Sequence, residues 1–197
     1  MKKKKVLVIV AHPDDETLWM GGTLIRNKKK WNTTIICLTR ASDKDRAPKF
    51  RKVIKALETK GFIYDLDDKS KKPLGQKKIL KIISKHKGQY DMLFTHNSDG
   101  EYGHQRHIDT HKAVKQALNQ KIISAKKVLF FSYHKVNNKY QGFALYNSSA
   151  DIFIKLNHDE LSMKKKLAIN VYGYDRGGIG FEENSAGPIE AFDKLKK

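Results

Sequence analysis

The chain contains little cysteine, little arginine and no long hydrophobic run. Its single cysteine, Cys37, excludes an intrachain disulfide framework and a cysteine-based zinc ribbon. No segment approaches the ~18 apolar residues that a membrane-spanning helix requires. Residues 2–11 place lysines before an apolar run as a signal peptide does, but the run is too short and no small-residue cleavage site follows it. We therefore expect a cytoplasmic protein with at most peripheral membrane contact.

The charge of the chain is strongly one-sided. Its 197 residues include 40 lysines and arginines against 21 aspartates and glutamates, which gives a formal net charge of +19. A hydrophobic fraction of 39% nevertheless indicates a folded core. The lysine clusters are dispersed, lack interleaved aromatic residues and match no nucleic-acid-binding motif; they lie at 2–5, 28–30, 69–72 and 164–166. Specific binding to nucleic acid is therefore not expected, and a non-catalytic basic module that binds nucleic acid or anionic glycan is the second hypothesis.

Strands and helices alternate along the chain up to about residue 133. Val6–Ala11 is a continuous apolar and β-branched run, which is typical of a strand buried on both faces. The predicted strands are Val6–Ala11, Thr33–Thr39, Phe62–Leu66, Met92–Thr95 and Lys127–Tyr133, and the helices between them cover about 16–29, 48–60, 74–86 and 104–118. This order predicts an α/β fold in which a mostly parallel sheet carries helices on both faces. We expect residues 1–197 to form a single domain.

The C-terminal part is predicted as an extension in which strands and helices no longer alternate. Phe143–Tyr146 and Ile152–Leu156 are two strands close together that could form an antiparallel edge, and Asp159–Val171 is a helix. The segment Tyr172–Pro188 contains five glycines and one proline, which predicts an ordered surface loop.

Histidines and carboxylates follow two of the predicted buried strands. The sequence HPDD at 12–15 follows the first strand, and a segment with His104 and His107 follows the fourth. If these strands are near neighbours, both groups converge on one cleft at the carboxyl ends of the strands. In each turn the two candidate ligands are three residues apart, so both can contact one ion. Two imidazoles and one carboxylate leave positions open for water, which indicates a hydrolytic metal site.

Each motif also has a simpler interpretation. Asp14 and Asp15 could serve only as N-cap and first-turn acids of the next helix. An HxxH spacing can arise by chance in a chain with eight histidines. No GxGxxG follows the first strand, and the chain has no GxxxxGK[ST] phosphate loop and no GxSxG nucleophile elbow. The occurrence of both motifs after buried strands favours the metal site.

Two longer stretches carry a family resemblance. AHPDDETLWMGGTL at 11–24 and HNSDGEYGHQRHIDTHKAV at 96–114 closely resemble the two motifs of the PIG-L/LmbE-like de-N-acetylases. The resemblance implies a Rossmann-like fold and zinc-dependent hydrolysis of the N-acetyl group of an N-acetylglucosamine-type conjugate. The substrate would be a small-molecule or lipid-linked amino sugar, which could be anionic. The sequence predicts no oligomeric state.

The resemblance also implies a role for each motif residue. His12, Asp15 and His107 would bind Zn²⁺, with Fe²⁺ or another divalent ion as the alternative. Asp14 would be the general base that takes a proton from the zinc-bound water. His104 would stabilise the tetrahedral oxyanion or protonate the leaving amine.

The chain departs from the family pattern in two places. The acidic residue usual early in the helix after the second strand is missing, and Arg46 is our candidate for the substrate-binding arginine there, with Arg51, or a merely solvated helix start, as the alternatives. The usual HPDH is here HQRH, so Arg106 could favour an anionic substrate or point to solvent. His96 and His111 are expected to support or pack near the site rather than to bind the ion. We interpret the lysine excess as a solvated surface that could also draw an anionic conjugate toward the cleft.

Overall fold

A seven-stranded sheet forms the centre of the computed structural model, which describes residues 2–70, 72–135, 144–174 and 186–196. The strands are β1 (Lys4–Val10), β2 (Trp31–Thr39), β3 (Lys60–Leu66), β4 (Gly88–Thr95), β5 (Ile123–Phe131), β6 (Tyr133–Lys135), β7 (Ala144–Tyr146), β8 (Ile152–Lys155) and β9 (Ile189–Lys194). The helices are α1 (Asp15–Asn27), α2 (Arg46–Ala56), α3 (Gln76–Ser84), the single turn α4 (Gly100–Gly103), α5 (Gln105–Asn119) and α6 (His158–Lys166), which continues as a π-helix over Leu167–Tyr172. Within these ranges, no helix combines the length and the apolar character needed to cross a membrane.

The strand order of the sheet is β3-β2-β1-β4-β5-β9-β8. Strands β1 to β5 run parallel, whereas β9 is antiparallel to β5 and β8 is antiparallel to β9. The predicted α/β class and mostly parallel sheet are therefore confirmed. Because β1 lies between β2 and β4, the strand order reverses beside it, and ligands of such sheets bind at the carboxyl ends of the strands at this reversal.

The apolar run of β1 explains why the sheet is buried on both faces. Its side chains from residue 6 to residue 10 are all fully buried and point alternately to opposite faces, as pleated strands require. Val6, Val8 and Val10 join a cluster that includes residues of α1 and α2. Leu7 and Ile9 join a second cluster that includes residues of α3 and α5. The two clusters confirm helices on both faces.

The C-terminal strands pair differently from the prediction. β7 pairs with β6 in a separate two-stranded ribbon, and β8 joins the main sheet through β9, so the two predicted strands are not partners of each other. The α-helical part of the predicted helix ends at Lys166. Of the predicted strand, Phe143 lies outside the described residues, as do residues 175–185 of the predicted loop.

Lys164 is an exception to the predicted solvated lysine surface. Its side chain is fully buried, and its Nζ lies 2.8 Å from Oε1 of Glu190, which is equally buried on β9. The Glu190 carboxylate also accepts hydrogen bonds from the backbone N–H groups of Gly22 and Thr23, both at 2.8 Å. These groups follow Met20, where α1 departs from helical dihedral angles. The buried pair therefore joins α6 and β9 to the helix that begins at the candidate site.

We expect Lys164→Met to lower the free energy of unfolding by about 3–5 kcal/mol, because it leaves the Glu190 carboxylate buried without its cation. Urea unfolding measures this change. Lys166→Met, which alters an exposed lysine two residues away, should change stability by no more than about 0.5 kcal/mol. Equal stability of the two variants would contradict the buried ion pair.

Candidate metal centre and active site

The two histidine-rich turns lie side by side at the carboxyl edge of the sheet. β1 and β4 pair in parallel with Ile9 opposite Thr95, so the residues that follow each strand meet. A cleft of about 150 Å³ opens there. The structure brings all six predicted site residues to this point; His12, Asp14, Asp15, Arg46 and His104 line the cleft, and His107 is fully buried against His12.

Three side chains offer ligand atoms that face one another. His12 Nδ1 lies 3.1 Å from His107 Nε2. The Asp15 carboxylate lies 3.5 Å from His12 Nδ1 through Oδ2 and 3.4 Å from His107 Nε2 through Oδ1. A tetrahedral Zn²⁺ ion bound at about 2.0–2.1 Å places neighbouring ligand atoms about 3.3 Å apart. The donor types and their spacing therefore fit a divalent ion such as zinc.

Further carboxylates orient the two imidazoles. Asp68 Oδ1 lies 2.8 Å from His12 Nε2, and Glu101 Oε2 lies 2.5 Å from His107 Nδ1. An ionised carboxylate only accepts hydrogen bonds, so these outward nitrogens carry hydrogens and the inward nitrogens can offer lone pairs to an ion. Asp15 Oδ1 in turn accepts a hydrogen bond from Trp19 Nε1 at 3.0 Å. Each candidate ligand is thus held by a partner, as is typical of metal centres.

The concentration of buried charge shifts the pKa values of these groups. Burial opposes protonation of His12, but hydrogen bonds to Asp15 and Asp68 raise its pKa to about 10. Burial likewise opposes ionisation of Glu101, but the His96 and His107 imidazoles lower its pKa to about 2. A proton and a metal ion therefore compete for the Nδ1 of His12, and ion binding must release that proton.

Asp14 occupies the N-cap position of α1 without serving as a cap. Its φ of 133° is unusual for a residue with a Cβ, and within the described chain its side chain makes no capping hydrogen bond. Its Oδ2 instead accepts hydrogen bonds from Arg46 Nη1 at 3.2 Å and from the Tyr174 hydroxyl. Burial and the adjacent Asp15 raise the pKa of Asp14 to about 7. This carboxylate lines the cleft with a proton affinity suited to exchange near neutrality.

His104 stands edge-on to His12, with ring centroids 4.6 Å apart. Its Nδ1 accepts a hydrogen bond from the backbone N–H of Arg106 at 3.3 Å at the start of α5. Burial and the neighbouring imidazoles of His107 and His12 lower its pKa to about 3. A neutral ring whose Nδ1 accepts must carry its hydrogen on Nε2, which makes it a hydrogen-bond donor rather than an acid.

The two candidate arginines differ in position. Arg46 contacts both Asp14 and Tyr174, with its Nη1 3.1 Å from the Tyr174 hydroxyl. Arg51 lies exposed on α2. The structure therefore places Arg46, and not Arg51, at the cleft.

Arg106 does not line the cleft beside His12 and does not point to solvent, so the predicted solvated position is wrong. Its side chain is 2% exposed, and its Nη1 donates to Asp109 Oδ2 and to the backbone oxygen of Lys72, both at 2.9 Å. Its Nη2 donates to the backbone oxygen of Ser70. Arg106 thus anchors the loop that carries Asp68 to the helix that carries His107.

His96 and His111 lie behind the candidate ligands. His96 Nε2 accepts a hydrogen bond from the backbone N–H of Ala11 at 3.0 Å. His111 Nδ1 donates to the backbone oxygen of His96 at 2.9 Å. His96 Nε2 lies 3.3 Å from Asp15 Oδ2. Its lone pair already accepts the backbone N–H of Ala11, so it is not free to bind an ion. Both residues support the site from below.

Sequence reasoning missed three residues that complete the site. Asp68 and Tyr174 reach it from loops far along the chain, and spacing gives no signal of such contacts. Glu101 lies inside the second motif, where its position before two histidines was a usable signal.

The segments that directly flank the parallel strands differ in charge at the two edges of the sheet. The segments at the amino ends of β1 to β5 contain twelve lysines and two acidic residues; they are 2–5, 28–30, 57–60, 85–91 and 120–126. The segments at the carboxyl ends of β1 to β4 contain seven basic and nine acidic residues; they are 11–16, 40–46, 67–73 and 96–107. Within these segments the excess of positive charge lies at the edge of the sheet opposite the cleft, and the segments beside the cleft carry slightly more acidic than basic residues.

Comparisons with known proteins add a family and a fold. The model of the PIG-L family, described as GlcNAc-PI de-N-acetylase, matches residues 7–118. The uncharacterized protein L374 of Acanthamoeba polyphaga mimivirus is 28% identical to this chain over an aligned length of 199. The alignment covers 85% of this chain and 81% of that protein.

Solved structures with a similar fold carry different activities. The 4-carboxy-2-hydroxymuconate hydratase GalB from Pseudomonas putida KT2440 gives a TM-score of 0.72 at 14% identity, covering 98% of this chain and 97% of its own. The N,N'-diacetylchitobiose deacetylase from Pyrococcus horikoshii gives 0.66 at 19% identity, covering 98% and 84%. Because a hydratase and a deacetylase share the fold, the reaction must be argued from the residues of the site.

Proposed function

This chain belongs to the PIG-L family of de-N-acetylases, and from that premise we propose that it is a metal-dependent hydrolase that removes the N-acetyl group from an N-acetylglucosamine-type conjugate. One observation carries the proposal. Ligand atoms of His12, Asp15 and His107 lie 3.1–3.5 Å apart, at the cleft that the Asp14 carboxylate lines. This arrangement combines a cation site with a proton acceptor, which amide hydrolysis requires.

The proposed cation is Zn²⁺, with Fe²⁺ as the alternative, held by His12 Nδ1, the Asp15 carboxylate and His107 Nε2. When bound, such an ion lowers the pKa of a coordinated water and polarises the amide carbonyl. The two nitrogens and one carboxylate of this chain leave further coordination positions free for water and substrate.

The remaining steps belong to the side chains of the cleft. Asp14 accepts a proton as water adds to the carbonyl carbon, and the same carboxyl group can return that proton to the departing amine. The Nε2–H of His104 donates a hydrogen bond to the carbonyl oxygen as negative charge develops there. The low pKa of His104 favours this role over protonation of the amine.

Arg46 is the proposed substrate-binding residue. Its side chain is 26% exposed, and its guanidinium contacts Asp14 and Tyr174 at the cleft wall, where it can also bind a sugar hydroxyl. A second cleft of about 580 Å³ adjoins through Arg40 and is lined by Ser42, Asp43, Lys44 and residues 65–69. Because this lining is mostly polar and charged, it favours a polar aglycone over a lipid chain.

Acetate release from a panel of N-acetylated sugars tests the proposal. The panel includes free, nucleotide-linked and lipid-linked N-acetylglucosamine together with diacetylchitobiose. We expect release by protein purified without chelator, loss after chelation and recovery when Zn²⁺ is restored. Failure to release acetate from every compound by metal-loaded protein, with tight DNA binding that persists at high salt, would instead support the basic binding module.

Salt should have little effect on the reaction, because the segments beside the cleft carry seven basic and nine acidic residues and so no excess of positive charge. We expect kcat/KM for an anionic conjugate to change by less than about threefold between 50 and 300 mM KCl. A neutral conjugate serves as the control. A steep fall confined to the anionic conjugate would show that the lysines attract substrate.

A further inference from the structure

Glu101 adopts a backbone conformation that its side chain disfavours. It lies in the turn α4 with φ 58° and ψ −61°, and only 1% of the residue is exposed. A residue with a Cβ keeps such a conformation only where its surroundings impose it, and such residues concentrate at functional sites. This conformation therefore identifies Glu101 as a candidate functional residue.

One carboxylate oxygen of Glu101 serves two histidines. Its Oε2 lies 2.8 Å from His96 Nδ1 and 2.5 Å from His107 Nδ1, and its Oε1 accepts the backbone N–H of Asn97 at 2.9 Å. The two imidazoles stack with centroids 3.9 Å apart. Because the carboxylate only accepts hydrogen bonds, both Nδ1 atoms donate to it.

These two hydrogen bonds determine what the opposite ring nitrogens can do. With hydrogen on Nδ1, His96 Nε2 keeps a lone pair and accepts the backbone N–H of Ala11, the residue before His12. His107 Nε2 keeps a lone pair in the same way and faces His12 Nδ1. A single carboxylate therefore orients two imidazoles. One of them holds the backbone of the turn after β1, and the other is the candidate ligand after β4.

We propose that Glu101 is a positioning residue of the metal centre, which holds His96 and His107 in the Nδ1–H form and joins the two ligand-bearing turns. The proposal rests on the proposed function in one respect, the binding of a divalent ion by His12, Asp15 and His107. Glu101 also adds a buried carboxylate on the opposite side of the His107 ring from Asp15, which favours a cation at this point.

Glu101→Gln tests the proposal, because glutamine keeps the shape but has a single acceptor oxygen, which cannot accept from both the two ring N–H groups and the backbone N–H of Asn97. We expect Zn²⁺ affinity, measured by chelator competition with the apoprotein, to fall about 10–100-fold. In nitrogen-15 spectra of the apoprotein, His96 and His107 should carry hydrogen on Nδ1 in the wild type, and at least one should lose this form in the variant.

Two control variants separate positioning from general effects. Asp99→Asn alters an exposed acid in the same turn, and Lys164→Met lowers stability away from the imidazoles. Both should keep zinc affinity within about twofold of the wild type, because neither touches the ligands. The proposal is overturned if Glu101→Gln also binds zinc within twofold, or if His107 lacks the Nδ1–H form in the wild type.

The readouts also separate this proposal from the proposed function. If the wild type binds zinc but releases no acetate, the proposed deacetylase activity is refuted. The zinc affinities of the wild type and of Glu101→Gln still test the positioning role of Glu101. The nitrogen-15 spectra decide on the role of Glu101 without any metal or substrate.

Discussion

Asp14→Asn is expected to lower kcat for acetate release by a factor of about 10²–10⁴ while the bound metal stays at the wild-type level. Asparagine has the same shape and tolerates positive φ, so the strained turn can persist. It cannot accept the proton that Asp14, with a pKa raised to about 7 by burial and Asp15, is placed to take. Metal analysis and steady-state kinetics on one preparation measure both quantities.

Asp159→Asn provides the matched control, because this aspartate on α6 has a side chain that is 99% exposed. It should leave kcat unchanged. If Asp14→Asn kept its metal and retained kcat within about fivefold of the wild type, Asp14 would not be the proton acceptor.

Asp15→Asn is expected to abolish both metal binding and acetate release. The substitution removes the one anionic ligand from between His12 Nδ1 and His107 Nε2 while preserving the size of the side chain. Under zinc concentrations that saturate the wild type, we expect less than about one tenth of an ion per chain. Equilibrium dialysis followed by metal analysis measures the loss.

His158→Ala is the control for adventitious binding, since this imidazole is 95% exposed and far along the chain from the cleft motifs. It should retain one ion per chain. Full metal content in Asp15→Asn would mean that the ion uses another set of ligands, and His104, which can bring a nitrogen within 4.8 Å of those of His12 and His107, would be the replacement.

The parallel strands and the motif residues could be predicted from sequence because their signals are local. Val6–Ala11 is apolar throughout, since a strand between two layers of helices has no exposed face. In the turn that follows it, two of the predicted metal ligands and the predicted proton acceptor all lie within residues 12–15. Both features depend on neighbours in the chain.

The antiparallel edge could not be predicted in the same way. β9 reads IEAFDK, which contains three charged residues in six and resembles a loop. It is a strand because Glu190 is buried against Lys164 and the backbone of α1, a pairing that a sequence cannot distinguish from two solvated charges. The burial of Arg106 could not be predicted for the same reason, because the backbone oxygens that it binds lie on a loop more than thirty residues away.

Titration of Zn²⁺ into the apoprotein shows whether acetate release depends on one divalent ion held by His12, Asp15 and His107. Acetate release and bound metal are measured at each point. We expect the rate to rise in proportion to bound zinc and to stop rising at one ion per chain. Acetate release by metal-free protein at the same rate as by the loaded protein would contradict this expectation.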